Sequence, residues 1–85
     1  MNPEENKVAV NILGEIHVIR GNGSEEYIKG LARDVDKRMN EISLKFPRLA
    51  AHQIGILTAL NLADELARLK EEHKNLLDML GDNGV

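Results

Sequence analysis

Three histidines are the residues of this sequence best suited to bind a metal ion or to move a proton at neutral pH. His17 lies in a run of β-branched residues, His52 lies at a predicted helix start, and His73 lies in a leucine-rich stretch. Their spacing does not follow the HExxH pattern, which puts two imidazoles on one face of a helix around one metal. We therefore expect no metal site.

Two further features have the residue types of a catalytic or phosphate site. Gly21-Asn22-Gly23 precedes a helix start, as a phosphate-binding loop does, but no Gly-Lys-Ser/Thr follows it, so we interpret it as a tight turn. The carboxylate pairs Glu25-Glu26 and Glu71-Glu72 are adjacent in sequence and therefore splay apart on a helix. No nucleophile, base and orienting group occur together, so we expect neither an enzyme nor a cofactor.

The composition describes one small domain. The chain has 85 residues, of which 42% are hydrophobic and 29% charged, which is typical of a folded globular protein. Without cysteine it has no disulfide or thiolate zinc site, so association with another copy is the expected stabiliser. A net charge of −3 argues against nucleic acid as a partner. No apolar run is long enough to span a membrane and the N-terminus is acidic, so we expect a cytoplasmic protein that binds no membrane.

A β-hairpin is predicted near the N-terminus. Two runs with the alternation of β-strands flank Gly14-Glu15, a pair suited to a two-residue type II′ turn, so we predict a hairpin over 8–19. This turn places Ile12 opposite His17. One face carries Val8, Val10, Ile12, His17 and Ile19, and the other carries Ala9, Leu13, Ile16 and Val18. The second face is too apolar to be left in water, and we expect both faces to pack on other structure.

Two helices of very different length follow. Ser24 is a suitable N-cap and Pro47 a suitable terminator, so we predict a first helix over 24–46. The second is predicted from about Leu49 to Leu80, because that stretch contains no proline and Gly81 follows as a stop signal. About 32 residues span roughly 48 Å, which exceeds the dimensions of a compact chain of this length. The second helix therefore has to project beyond its own domain.

The apolar residues of the long helix divide it into two parts. Near its start they lie on several sides, as in a helix buried within a head domain, and in its second half they narrow to a stripe with 4-3 spacing. We predict an α+β fold in which a head (1–60) carries a coiled-coil extension (61–85) that forms a dimer. Six residues form this dimerisation stripe, which we call the seam: Leu62, Leu66, Leu69, His73, Leu76 and Leu80.

The order of hairpin, helix, proline break and long helix, with the strings VNILGEIHVIRG, VDKRMNEI and ILTALNLADELARL, resembles the ZapA family of bacterial cell-division proteins. The resemblance covers roughly residues 7–80, and the segment 57–66 is similar to the family's "AALN" segment. It implies a cytoplasmic, non-enzymatic homodimer that binds FtsZ, an acidic tubulin-like GTPase, and bundles its filaments at midcell. Family dimers also form tetramers through their coils. Because this coil ends near Leu80, the choice between dimer and tetramer stays open.

The resemblance also implies where FtsZ binds. In the family the contact is attributed to charged residues of the head, around the hairpin and near the end of the first helix. This chain departs from some relatives in having Glu15, instead of a basic residue, after the hairpin glycine, so its contact set differs. By position, the contact maps onto five residues that we call the basic head residues: Arg20, Lys37, Arg38, Lys45 and Arg48.

Two other classes of protein fit a small dimer with a head and a coil. A DNA-binding regulator or antitoxin would place its hairpin or first helix on duplex DNA, and measuring duplex binding at varied salt identifies it. A coiled-coil scaffold with another partner would tolerate scrambling of the head surface. Co-sedimentation with FtsZ polymers separates both from the ZapA-like function.

Overall fold

The computed structural model describes residues 5–83, and side chains over 6–81. The predicted order of elements is confirmed, with one antiparallel two-stranded sheet and a second helix much longer than the first. The described chain is elongated and flat, measuring 53 × 41 × 16 Å. Its elements are β1 (Glu5–Ile12), β2 (Glu15–Asn22), α1 (Glu25–Lys45) and α2 (Ala51–Asn83).

The hairpin is longer than the predicted 8–19, and the interpretation of Gly21-Asn22-Gly23 as a tight turn is wrong, because Gly21 and Asn22 continue β2. Its turn also differs from the prediction. The two-residue loop is Leu13-Gly14, since Ile12 pairs with Glu15, and the predicted pairing of Ile12 with His17 is wrong by two residues. Leu13 and Gly14 have φ of 52° and 80°, the pair of positive values that a type I′ turn requires. The backbone N–H of Leu13 donates to Asp36 Oδ1 of α1 at 2.8 Å, which holds this otherwise unfavourable conformation. Because the register moves by an even number, the side chains within the strands keep their predicted faces, whereas Leu13 lies in the turn.

Local signals set the bounds of α1. Ser24 is the N-cap as predicted, because its Oγ accepts the backbone N–H of Tyr27 at 3.0 Å. Glu25 and Glu26 follow in the first turn, where the partial positive charge of the helix N-terminus favours carboxylates. The helix ends at Lys45, with Phe46 as C-cap immediately before Pro47.

The long helix α2 starts and ends later than predicted. Its start is set by Gln53, whose Oε1 accepts the backbone N–H of Ala50 at 2.9 Å, as in half of a capping box. The prediction that Gly81 terminates the helix is wrong, since α2 continues through it to Asn83. With 33 residues, α2 is about 50 Å long, and it accounts for the long dimension of the protein.

Two small contact regions hold the elements together. In the first, the inward face of β1 packs on α1, where Val8, Val10 and Ile28 are each less than 10% exposed. In the second, α2 packs on α1 through its first turns, where Ile54 is 3% exposed and Met39 of α1 lies against Gly55. A third inward residue, Thr58, donates its hydroxyl proton to the carbonyl of Ile54 and so is buried without an unpaired polar group.

The first half of α2 is less buried than its composition predicts. Ile56 and Leu60 remain 57% and 61% exposed, and Leu57 is 36% exposed. The reason is that one side of α2 rests on α1 while the protein is only 16 Å thick, so no further layer of the described chain covers the other sides. The prediction that this segment is buried on several sides is therefore wrong for the single chain.

Candidate functional site

The seam lies bare along the outer part of α2. Four of its leucines are between 53% and 61% exposed, Leu62 is half-buried, and His73 is exposed. Solvated leucines recurring at 4-3 spacing on one helix present a continuous apolar stripe of the kind that a second helix covers. The exposed leucines are Leu66, Leu69, Leu76 and Leu80.

Sequence spacing missed one residue beside the seam. Leu77 is 53% exposed and lies one turn beyond His73, on the same side of α2. With Leu69 and His73 it lines a shallow groove along the helix surface. A wider stripe than the strict heptad would have identified Leu77, since leucines at i and i+4 from seam positions broaden the apolar face.

The basic head residues do not form one patch. Arg20 precedes Gly21, which packs against Ile28 near the start of α1. Lys45 lies 17 residues beyond Ile28 on α1, which corresponds to about 25 Å along the helix. Lys37 falls between these ends, and Arg48 follows α1 in the connection to α2. The structure therefore divides them into a hairpin cation and cations of the C-terminal half of α1.

Arg38 differs from the other four. Its guanidinium makes ion pairs with Asp34 on α1 and with Glu65 on α2. Over residues 6–81, the other basic head residues make no ion pair, and all four are exposed. Four of the predicted cations are thus available to an acidic partner, and Arg38 is engaged within the chain.

The outer face of the hairpin is a second exposed surface. The sequence indicates that this face is too apolar to be left in water but does not identify it as a binding surface. Ile16 and Val18 are 73% and 66% exposed on it. On the same face Lys7 lies directly opposite Arg20 across the two strands. This face therefore combines two neighbouring cations with an apolar surface, and Lys7 is a candidate binding residue that the positional mapping missed.

The three histidines lie far apart along the elements. His17 is on β2 with Nε2 3.6 Å from Glu15 Oε2, His52 is in the first turn of α2, and His73 is on its outer half. Within residues 6–81, no three histidine, cysteine or acidic side chains come together as a metal site would require. Neither α1 nor α2, as described, has the length and hydropathy needed to cross a lipid bilayer.

Comparison with known proteins gives consistent results. The family model described as "Cell division protein ZapA" matches residues 8–82. A cell division protein ZapA of Geobacillus sp. (strain WCH70) is 38% identical over 77 residues, covering 91% of this chain and 88% of the relative. That of Bacillus thuringiensis (strain Al Hakam) is 30% identical over 82 residues, covering 96% and 92%. Among solved structures, the ZapA mutant dimer from Geobacillus stearothermophilus is similar, with a TM-score of 0.72, 36% identity and 94% of each chain covered.

Proposed function

The chain belongs to the ZapA family of cell division proteins, and on that premise we propose that it binds FtsZ polymers as a homodimer and bundles them at the midcell division site of the cytoplasm. The family is one of cell division proteins and not of enzymes, so the chain acts by binding. In the proposal the head (1–60) binds the filament and the extension (61–85) joins two copies.

The single observation that carries the proposal is the bare seam. A soluble chain gains little from solvating four leucines on one helix face, whereas a second copy of the same helix covers them in both chains at once. The solved relative is a dimer, which supports this arrangement. In a parallel pair, His73 of each chain meets its counterpart, and a polar residue at such a position sets register at a cost in stability.

Dimerisation supplies the function because it duplicates the head. A two-fold dimer carries two identical binding surfaces. Once one head holds a filament, the second head is confined near neighbouring filaments at a high effective concentration, so weak individual contacts suffice for cross-linking. Bundling therefore requires the seam and the head surface together.

The proposed contacts on the head are its exposed cations. Arg20 and Lys7 on the outer hairpin face, Lys37 and Lys45 on α1, and Arg48 just after α1 offer positive charge to an acidic polymer. Ile16 and its neighbour Val18 supply apolar area within the hairpin part of this surface. Charge complementarity of this kind speeds association and weakens as salt is added.

Co-sedimentation with FtsZ polymers tests the proposal. We expect the wild-type chain to pellet with polymers at low salt and to pellet less as salt rises. Arg20→Glu should reduce pelleting without unfolding the hairpin, because it replaces a like-charge pair with Lys7 by an attractive one. Lys37→Glu and Lys45→Glu test the α1 cations in the same way.

Arg68→Glu is the matched control for these reversals, because Arg68 lies outside the head and does not line the groove beside the seam. It changes the net charge by the same amount, but on an exposed site of the outer half of α2. We expect it to pellet like the wild type, with dimer mass and circular dichroism unchanged in every variant. If all the head reversals pellet normally, the basic-surface assignment is wrong. If the wild type does not pellet with FtsZ polymers at any salt concentration, the proposed function is wrong.

A further inference from the structure

Arg38 joins α1 of the head to α2 at a point within the extension. Its Nε lies 3.2 Å from each carboxylate oxygen of Asp34, one turn earlier on α1, and its Nη1 donates to Glu65 Oε2 on α2. Hydrogen bonds to Glu65 and then to Asp34 raise the pKa of Arg38, so the side chain stays charged. Only 31% of it is exposed. Within residues 6–81, no other ion pair connects α1 to α2.

The position of this contact gives it mechanical importance. The buried residues between the two helices lie in the first turns of α2, around Gly55 and as far as Thr58, and Leu62 one turn further is half-buried. Glu65 lies seven residues beyond Thr58, which is about 10 Å down the helix. One small contact leaves α2 free to swing about it, whereas a second contact 10 Å away fixes the direction of the helix.

The local charge argues against direct binding of an acidic partner by Arg38. Its guanidinium is shared by two carboxylates, so the group of three side chains has a net charge of −1. The planar fork of arginine suits two carboxylates at once, and the point charge of lysine does not. Both features are those of a structural connection between helices.

We propose that Arg38 is a positioning residue, which braces α1 to Glu65 and thereby sets the angle at which the seam leaves the head. The angle is a property of the fold. The role of this angle in bundling rests on the proposed function, because two heads engage neighbouring filaments together only when their separation and orientation fit. A flexible junction lowers the effective concentration of the second head and so lowers bundling.

The distance between the helices tests the brace independently of any partner. The chain contains no cysteine, so Glu41→Cys on α1 and Glu72→Cys on α2 provide a unique pair of spin labels at exposed sites. Labelled chain is diluted into unlabelled chain so that pulsed EPR reports distances within one copy. Glu72 lies about 21 Å beyond Thr58, so a 10° swing moves it by about 4 Å. We expect Arg38→Gln and Glu65→Gln each to shift or broaden the distance distribution on this scale.

Arg68→Gln is the matched control, because it removes an arginine that pairs with Asp64 on its own helix and connects nothing else. It should leave the distribution as in the wild type. The double variant of Arg38→Gln with Glu65→Gln should be no worse than either single variant, since both remove the same connection. Distributions identical to the wild type in both single variants would overturn the proposal.

Binding to FtsZ polymers then distinguishes the brace from a direct contact, because the two predict opposite effects of Glu65→Gln. If Arg38 touches the acidic partner, Glu65→Gln releases a cation and binding holds or rises, and this result would also overturn the proposal. If Arg38 is the brace, Glu65→Gln lowers bundling in the same way as Arg38→Gln. A changed distance together with a wild type that never pellets would leave the brace standing and refute the proposed function.

Discussion

Shortening one leucine of the seam gives the sharpest measure of what the bare helix face contributes to assembly. Leu69 is 61% exposed on the single chain. Burying a fully exposed leucine side chain contributes about 1.5–3 kcal/mol, so covering the exposed part of Leu69 contributes roughly 1–2 kcal/mol per chain. Both chains of a dimer lose it in Leu69→Ala, which amounts to about 2–4 kcal/mol. The dissociation constant should rise roughly 30-fold to 1,000-fold, at tenfold per 1.4 kcal/mol.

A matched control lies on the same helix. Met79 is 63% exposed, but it lies at the border of the seam, about 60° around the helix from Leu76 and about 100° from Leu80. Met79→Ala removes a similar exposed apolar area, and alanine favours the helix in both variants. Sedimentation equilibrium across a concentration series should show Leu69→Ala dissociating at much higher concentrations than Met79→Ala. Equal dissociation of the two variants would refute the seam as the dimer interface.

Two further predictions concern the head. Ser24→Ala removes the N-cap of α1, which costs about 1 kcal/mol and should lower the melting temperature by about 4–8 °C in a domain of this size; an unchanged melting curve would contradict the cap. Asp36→Ala leaves the N–H of Leu13 without its acceptor, at a cost of about 1–3 kcal/mol, whereas Asp36→Asn keeps an oxygen there and should melt closer to the wild type. If the two Asp36 variants melt alike, this hydrogen bond does not hold the hairpin to α1.

Element order was predictable because its signals are local. The start of α1 follows from Ser24, and its end from Pro47, each acting within a few residues of the boundary. The end of α2 was not predictable in the same way. A glycine such as Gly81 costs a helix only about 1 kcal/mol, so it permits termination without enforcing it.

The hairpin turn was mispredicted because a distant residue selects it. Gly14 serves either as the first residue of a type II′ turn or as the second of a type I′ turn. The local pattern favoured the first, since the second puts Leu13 at positive φ. The hydrogen bond from Leu13 to Asp36, 23 residues away, favours the second. No spacing rule within the hairpin contains this information.

In the candidate site, too, the contacts set by local spacing were predictable from the sequence and those between distant residues were not. The seam was predictable as a stripe, since helical spacing alone determines which side chains share a face. The pairing of Arg38 with Asp34 also follows from i,i+4 spacing. Its bond to Glu65 depends on how α2 crosses α1, 27 residues later in sequence. The sequence therefore predicted Arg38 as a free surface cation, whereas in the fold it connects α1 to α2.

Because the core is small, the stability of this protein should depend on its concentration. In the described chain, the hydrophobic residues that are buried number four: Val8, Val10, Ile28 and Ile54. A chain with so small a core draws much of its stability from the second copy proposed here, and that contribution follows mass action. The melting temperature should then rise with protein concentration. Copies present below the dissociation constant would populate unfolded forms more often, and those forms are the ones that proteases degrade.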